Sequence, residues 1–158
     1  MSFHKRAGVL KLAILGFVLA IAACAQNPAP NAGAAIPGSF QDFSVNVGDR
    51  VFFDTDSTEL SAASQATLDK QATWLTRYSQ YNFTIEGHAD ERGTREYNFA
   101  LGARRAETVK EYLVARGINP ARIHTISYGK ERPVATCNND SCWSQNRRAV
   151  TVLGGNQS

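Results

Sequence analysis

The sequence predicts an α+β fold in which two helices pack on one face of a β-sheet. Apolar and polar side chains alternate in several short segments, as they do in half-buried strands. Two longer segments repeat their apolar residues with the period of a helix. The resulting order, β-α-β-α-β-β, is typical of helices layered on one sheet. The strand candidates are residues 47–53, 82–88, 123–128 and 149–153, and the helix candidates are residues 61–78 and 98–116.

The helix boundaries follow from local capping residues. Ser61 is a suitable N-cap for the first helix, which carries Leu68 and Leu75 on one face. Gly117 stops the second helix, because glycine readily adopts the left-handed conformation that ends a helix. Pro120 follows shortly after and cannot continue it.

The N-terminus predicts export. Basic residues precede an apolar run at 12–20. That run has about ten residues, whereas a membrane-spanning helix needs roughly 20. The run ends at Ile21-Ala22-Ala23-Cys24, which resembles a bacterial lipobox. We therefore expect residues 1–23 to be a cleaved signal peptide and Cys24 to be lipidated and acylated; the alternative is a cysteine there by chance. Ala25 favours the outer membrane over the inner.

Charge indicates which partners are unsuitable, and composition separates a tether from a folded domain. The formal net charge of +3 comes from Lys5, Arg6 and Lys11, and removing the signal leaves 14 basic and 14 acidic residues. A neutral chain without a long basic run argues against nucleic acid as a partner. Residues 24–40 are rich in Ala, Pro and Asn and predict a flexible tether. Residues 41–155 are long enough for one domain.

The remaining cysteines, Cys137 and Cys142, predict a structural disulfide. An even pair fits an oxidising periplasm, and the loop between them is short and polar. Redox enzymes favour two intervening residues rather than four, and structural zinc needs four ligands.

The second helix carries one anomalous charge. At about 100° per residue, Arg105 lies about 40° from Leu101, inside the apolar arc that reaches Ala106, whereas Arg104 lies on the polar edge. A buried arginine needs a carboxylate or phosphate partner. The charged loop after the second strand contains Asp90. Either Asp90 and Arg105 form an internal salt bridge, or both bind a ligand, and physics alone does not separate the two.

The motifs around these residues resemble the OmpA-like peptidoglycan-binding domain family. The resemblance covers roughly residues 43–153, and implies a mixed sheet. The matching segments are Val51-Phe52-Phe53-Asp54, Gly87-His88-Ala89-Asp90-Glu91-Arg92-Gly93-Thr94, Tyr97-Asn98, Leu101-Gly102-Ala103-Arg104-Arg105-Ala106, Ser127-Tyr128-Gly129-Lys130-Glu131-Arg132-Pro133 and Asn146-Arg147-Arg148-Ala149-Val150. The cysteine loop departs from the commonest family pattern.

This resemblance implies a ligand and a site. The ligand is diaminopimelate of peptidoglycan stem peptides, which carries an ammonium group and carboxylates. Asp90 would take the ammonium, and Arg105 would grip a carboxylate through its planar fork. Phe53 and Asp54 would line the pocket through backbone groups, and Asn98 and Arg148 would complete its rim. Without the resemblance, Arg147 and Arg148 are expected to be a solvated or ion-paired pair.

The resemblance also implies a role without catalysis or cofactor. The lipid-anchored members of the family sit in the outer membrane, face the periplasm, bind peptidoglycan and work in the Tol system with TolB, which supports envelope integrity and cell division. A metal site at His88, Asp90 and Glu91 is a weak alternative, since these residues are too close in sequence to converge; His88 is expected to hydrogen-bond and fix the loop. The rival functions are an anchored wall-degrading enzyme and a structural lipoprotein that contacts only proteins.

Overall fold

One mixed sheet organises the computed structural model, which describes residues 35–154. Its strands are β1 (Arg50–Phe52), β2 (Asn82–His88), β3 (Ile123–Gly129) and β4 (Arg148–Gly154). They lie in the order β1-β4-β2-β3, with β4 antiparallel to β1 and β2, and β2 parallel to β3. The predicted α+β fold with a mixed sheet is therefore confirmed.

The helices are α1 (Phe40–Asp42), continued by a π-helical segment (Phe43–Gly48), then α2 (Ala62–Arg77), α3 (Arg95–Ala115) and α4 (Asp140–Asn146). Of these, α2 and α3 pack against the sheet. The long helices begin at hydroxyl caps: Ser61 accepts from the amide of Ser64, and Thr94 accepts from that of Tyr97. Between α2, α3 and the sheet lies the core, formed in part by Leu68, Leu75, Phe83, Ile85, Val109 and Leu113.

A close helix–strand crossing fixes α3 against β2. A Cβ atom at Gly87 would lie 1.8 Å from the carbonyl oxygen of Gly102, and one at Gly102 would lie 2.4 Å from the Ser127 hydroxyl. Only glycine fits at both positions, so the two backbones nearly touch. Arg105 comes about one helical turn after Gly102, and the crossing therefore holds it beside the C-terminal end of β2.

The structure corrects two predicted boundaries and adds one helix. Residues 47–49 belong to the helical segment and its turn instead of the first strand, because Gly48 has a φ of 94° and its carbonyl accepts from Gln71 at 2.7 Å. Helix α3 begins at Arg95 instead of residue 98, since Thr94 supplies the cap. Helix α4 was not predicted; Asn139 caps it by accepting from the amide of Ser141.

Several N-terminal predictions lie outside the described residues. These are the signal peptide at 1–23, lipidation of Cys24 and the tether up to residue 34. The described end of that tether contacts the domain, where Tyr81 donates to the carbonyl of Gly38 at 2.7 Å. The domain bounds stay a prediction. Among residues 35–154, no helix is both long and apolar enough to cross a membrane.

The predicted disulfide is present. Cys137 and Cys142 are bonded, with their Cα atoms 5.6 Å apart. The bond ties Cys137, which precedes α4, to Cys142 within the first turn of that helix, one residue before Trp143.

Candidate ligand-binding site

Arg105 is fully buried on α3, as its place on the apolar arc predicted, and its neighbour Arg104 is exposed. The Arg105 guanidinium is held by three backbone carbonyls from distant segments. Its Nε donates to Ser57 at 2.9 Å, its Nη1 to His88 at 2.9 Å and its Nη2 to Asp54 at 3.1 Å.

This arrangement leaves Arg105 with unused binding capacity. A guanidinium has five N–H donors, of which three are used; the other two, one on each terminal nitrogen, have no partner within residues 35–154. Burial lowers the pKa of Arg105 from 12.5 to about 10, so the side chain is still a cation at neutral pH. A buried cation bonded to neutral carbonyls favours an anionic group beside it.

Asp90 follows the end of β2, and its carboxylate is bonded by arginines other than Arg105. Arg92 reaches Oδ1 through Nε at 3.1 Å and Oδ2 through Nη2 at 2.7 Å, while Arg147 lies 3.5 Å from Oδ2. Burial alone would raise the pKa of Asp90, but these hydrogen bonds outweigh it and hold the pKa below 3.8. No ion pair in the described part of the chain joins Asp90 to Arg105, so the alternative of a direct internal salt bridge is wrong.

Asp90, Asn98 and Arg105 meet at one cavity of about 270 Å³. The cavity therefore presents a carboxylate and a guanidinium together. Asn98 donates to the carbonyl of Arg92 at 2.7 Å, which fixes the rim of the cavity. The complete lining is Thr55, Asp56, Asp90, Arg92, Gly93, Tyr97, Asn98, Leu101 and Arg105.

Phe53 and Asp54, which the resemblance placed in the pocket lining, are not among the residues that line this cavity, and they contact Arg105 instead. The Asp54 carbonyl holds Arg105, and the Phe53 ring centre lies 5.1 Å from the Arg105 guanidinium carbon. The Phe53 carbonyl accepts from Arg147 at 3.0 Å. Both residues also line a neighbouring cavity of about 380 Å³ with Arg147. Their backbones thus link the two arginines.

Comparison with known proteins identifies the family to which this chain belongs. Residues 52–147 match the model of the OmpA family. This chain belongs to the OmpA family.

Named relatives agree with that assignment. The chain is 65% identical over 150 residues to a peptidoglycan-associated lipoprotein of Rhizobium meliloti, which spans 89% of this chain and 85% of the relative. It is 46% identical over 125 residues to that of Pseudomonas aeruginosa, covering 75% of this chain and 74% of the relative. The crystal structure of the peptidoglycan-associated lipoprotein from Burkholderia pseudomallei superposes with a TM-score of 0.68 at 39% identity, covering 72% of this chain and 98% of that one.

The structure places Arg148, another predicted rim residue, away from the cavity of this OmpA-family domain. Arg148 is buried at the start of β4 and donates to the carbonyls of Asn146 and Arg132. The prediction that Arg147 and Arg148 are both solvated or ion-paired is wrong for Arg148, which bonds to carbonyls. Arg147 is buried and ion-paired to Asp140 at 3.1 Å and to Asp90.

Some residues of the site had no distinctive sequence pattern. Arg147 looked equivalent to its neighbour, but it is the C-cap of α4 whereas Arg148 begins β4, and of the two only Arg147 reaches Asp90. Asp56 has a positive φ of 54° and accepts a hydrogen bond from the Tyr97 hydroxyl. Such a backbone is uncommon outside glycine and depends on the surrounding fold.

His88 differs from its expected role. Its imidazole is buried, and neither ring nitrogen has a hydrogen-bond partner within residues 35–154. The backbone carbonyl of His88 holds Arg105 instead. Within the same residues, no group of three or more His, Cys, Asp or Glu side chains could hold a metal ion.

Proposed function

We propose that this protein binds peptidoglycan non-covalently by holding the diaminopimelate of its stem peptides. The observation that carries the proposal is the cavity at which the Asp90 carboxylate meets the buried Arg105 guanidinium. The end of diaminopimelate that is not joined into the stem peptide carries an ammonium and a carboxylate. A complementary site therefore needs both signs of charge within one small space.

The contacts of Arg105 support a carboxylate at one side of the cavity. Its two remaining N–H groups lie on the two terminal nitrogens, which suits bidentate pairing with a carboxylate. The three carbonyls hold the fork in place, so little side-chain entropy is lost when a ligand binds. The ligand's ammonium would contact Asp90, Asn98 would shape the rim, and the Asp54 carbonyl would keep Arg105 in position.

The relatives' shared name supports the wider role. We propose that Cys24 carries lipid in the outer membrane, that residues 24–40 are the tether, and that the domain at 41–155 faces the periplasm. Because Gly38 contacts the domain, the segment before it, residues 24–34, would set the reach, which is roughly 17–20 Å for a random coil. The protein would thereby join the outer membrane to the wall within the Tol–Pal system, with TolB as a partner, and support envelope integrity and cell division.

A binding role is favoured over an enzymatic one by the chemistry of the cavity. A wall hydrolase would need an activated nucleophile, a metal-bound water or a pair of carboxylates poised for acid–base catalysis. Asp90 has a lowered pKa and is bonded by arginines, so it is a poor proton donor. The relatives are named as lipoproteins associated with peptidoglycan.

Co-sedimentation with purified sacculi tests the proposal. Arg105→Ala and Asp90→Ala should each lose most binding, because truncating one partner of a desolvated charge pair costs roughly 2–5 kcal/mol. Arg104→Ala is the matched control, since it removes the same charge one residue away from an exposed position. Circular dichroism must show that all variants fold, and Asp90→Asn provides a milder change of nearly the same shape.

Three outcomes would contradict the proposal. A folded Arg105→Ala protein that binds sacculi like wild type would make the arginine architectural and place the ligand elsewhere. If neither wild type nor any variant binds sacculi, the rival function is favoured, in which the lipoprotein contacts only other proteins. Clearing of sacculi in a zymogram would instead indicate the wall-degrading enzyme.

Membrane anchoring has a separate test. Cys24→Ser should release the protein from membranes or leave it unprocessed, because the acyl chains supply the anchor. Fractionation followed by immunoblotting measures this. A variant that is still cleaved and still firmly membrane-bound would refute lipidation at Cys24.

A further inference from the structure

The Asp90 carboxylate already has a full set of partners. Carboxylate oxygens offer about four acceptor positions. Arg92 fills three of them through its amide, Nε and Nη2, and Arg147 lies next to Oδ2. A ligand ammonium therefore cannot simply add to Asp90, and one of these donors must yield.

Arg92 can leave more easily than Arg147. The Arg147 side chain is 7% exposed and is also held by the Phe53 carbonyl and by Asp140. The Arg92 side chain is 41% exposed and lines the cavity. Its backbone is fixed, because its carbonyl accepts from Asn98. Beyond Asp90, the Arg92 guanidinium donates at 3.4 Å to the hydroxyl of the exposed Thr55, a contact that water can replace. The Arg92 guanidinium can thus swing away while the loop stays in place.

Trp143 holds the Arg92 guanidinium over Asp90. The Arg92 guanidinium carbon lies 4.1 Å from the centre of the Trp143 ring, a close cation–π contact. The indole N–H of Trp143 donates to the Glu91 carboxylate at 2.9 Å, which orients the ring. Trp143 directly follows Cys142, so the disulfide restricts where the ring can lie.

We infer that the Arg92 guanidinium is an internal competitor for the ligand's ammonium group at Asp90, and that its stacking on Trp143 sets how strongly it competes. This inference rests on the function proposed above and adds a determinant of its affinity. Binding of the ligand exchanges one cation for another at the same carboxylate, so no net charge is buried. Residues on α4, outside the cavity, thereby tune the site.

The competition has a measurable size. The apparent affinity for a ligand is reduced by the fraction of protein in which its contact is available. A partly exposed ion pair biases such an equilibrium by up to roughly fivefold. Removing the competitor should therefore tighten binding by a similar factor, whereas removing an ordinary ligand contact would weaken it.

Calorimetric titration of the full-length mature protein with a soluble disaccharide-tetrapeptide containing diaminopimelate tests this. Arg92→Ala should bind roughly fivefold more tightly than wild type, and Trp143→Ala should change the affinity in the same direction by less. Arg95→Ala is the matched control, because it removes a nearby arginine that pairs with the exposed Glu131. Its affinity should equal that of wild type.

The outcomes separate this inference from the proposed function. If wild type binds the ligand and a folded Arg92→Ala protein binds it equally well or more weakly, only the inference that Arg92 competes is overturned. Arg92 would then be neutral or a ligand contact. An equal gain in Arg95→Ala would assign the effect to overall charge and would also overturn it. Binding by neither wild type nor Arg92→Ala would overturn the proposed function, and the competitor with it.

Discussion

Two arginines at opposite ends of the domain make the same kind of contact and differ in what surrounds them. Arg105 donates to the carbonyls of Asp54, Ser57 and His88. Arg122 likewise donates to three carbonyls, those of Leu75, Tyr78 and Tyr81. In both cases the planar fork joins chain segments that are distant in sequence.

The surroundings separate the two arginines. The acceptors of Arg122 lie at and just beyond the C-terminal end of α2, where a cation complements the helix dipole. Burial lowers the pKa of Arg122, and no carboxylate contributes to that shift. Arg105 lies at a cavity together with Asp90, whose charge favours its cationic form. Carbonyl contacts alone therefore indicate a structural clamp, and an adjoining cavity with a carboxylate indicates a binding group.

The largest expected effect is the contrast in ligand binding. Arg105→Ala should reduce sacculus affinity more than tenfold, because it removes the donors for a buried carboxylate. Arg122→Ala should retain wild-type affinity once it is shown to fold, since its contacts lie at the other end of the domain. Sedimentation with a dilution series of sacculi measures the affinity of both variants. Equal losses of affinity would show that Arg105 and Arg122 do not differ in their role in binding.

The next effect is a pH dependence confined to the Arg105 end. Burial, then the charges of Arg148, Arg132 and Arg50, lower the pKa of His88 from 6.5 to about 4. As the pH falls, the unfolded chain takes up this proton before the folded protein does. The contribution of neutral His88 to the free energy of unfolding is therefore complete above pH 6.5. This contribution falls by up to roughly 3 kcal/mol between pH 6.5 and 4.

Urea unfolding at several pH values measures this dependence. His88→Gln should flatten the loss between pH 6.5 and 4, because glutamine does not titrate. His124→Gln serves as the matched control, since His124 is exposed on β3. A wild-type slope in a folded His88→Gln protein would show that other groups cause the acid sensitivity.

The smallest effect concerns Arg122 as a structural clamp. Arg122→Ala should lower the free energy of unfolding by about 2 kcal/mol, because charged hydrogen bonds to carbonyls are lost. Arg122→Lys should recover part of this loss, as an ammonium can reach some of the same acceptors. Chemical denaturation measures both variants, and a loss below about 0.5 kcal/mol for the alanine variant would mean that solvent replaces the clamp.

Local sequence patterns predicted the elements that have a clear period or cap. Helix α2 begins after Ser61 and strand β2 spans residues 82–88, as expected, because caps and alternation act within a few residues. Residues 47–49 were misassigned because Val47 suits a strand and a helical segment equally, and because the positive φ of Gly48 and its contact with Gln71 depend on the folded chain. Helix α4 was missed because its seven residues are mostly polar and depend on the Asn139 cap.

The site divides in the same way. Helix periodicity placed Arg105 in the apolar arc and Arg104 on the polar edge, and the family resemblance assigned Asp90 and Asn98 to the same pocket as Arg105. The packing of distant segments was needed to show which carbonyls hold Arg105, that Arg92 and Arg147 bond Asp90, and that Arg148 lies elsewhere. A helix period depends on neighbours one turn away, whereas these contacts join segments up to 94 residues apart, as between Arg147 and Phe53. Their partners are chosen by how the sheet and helices pack.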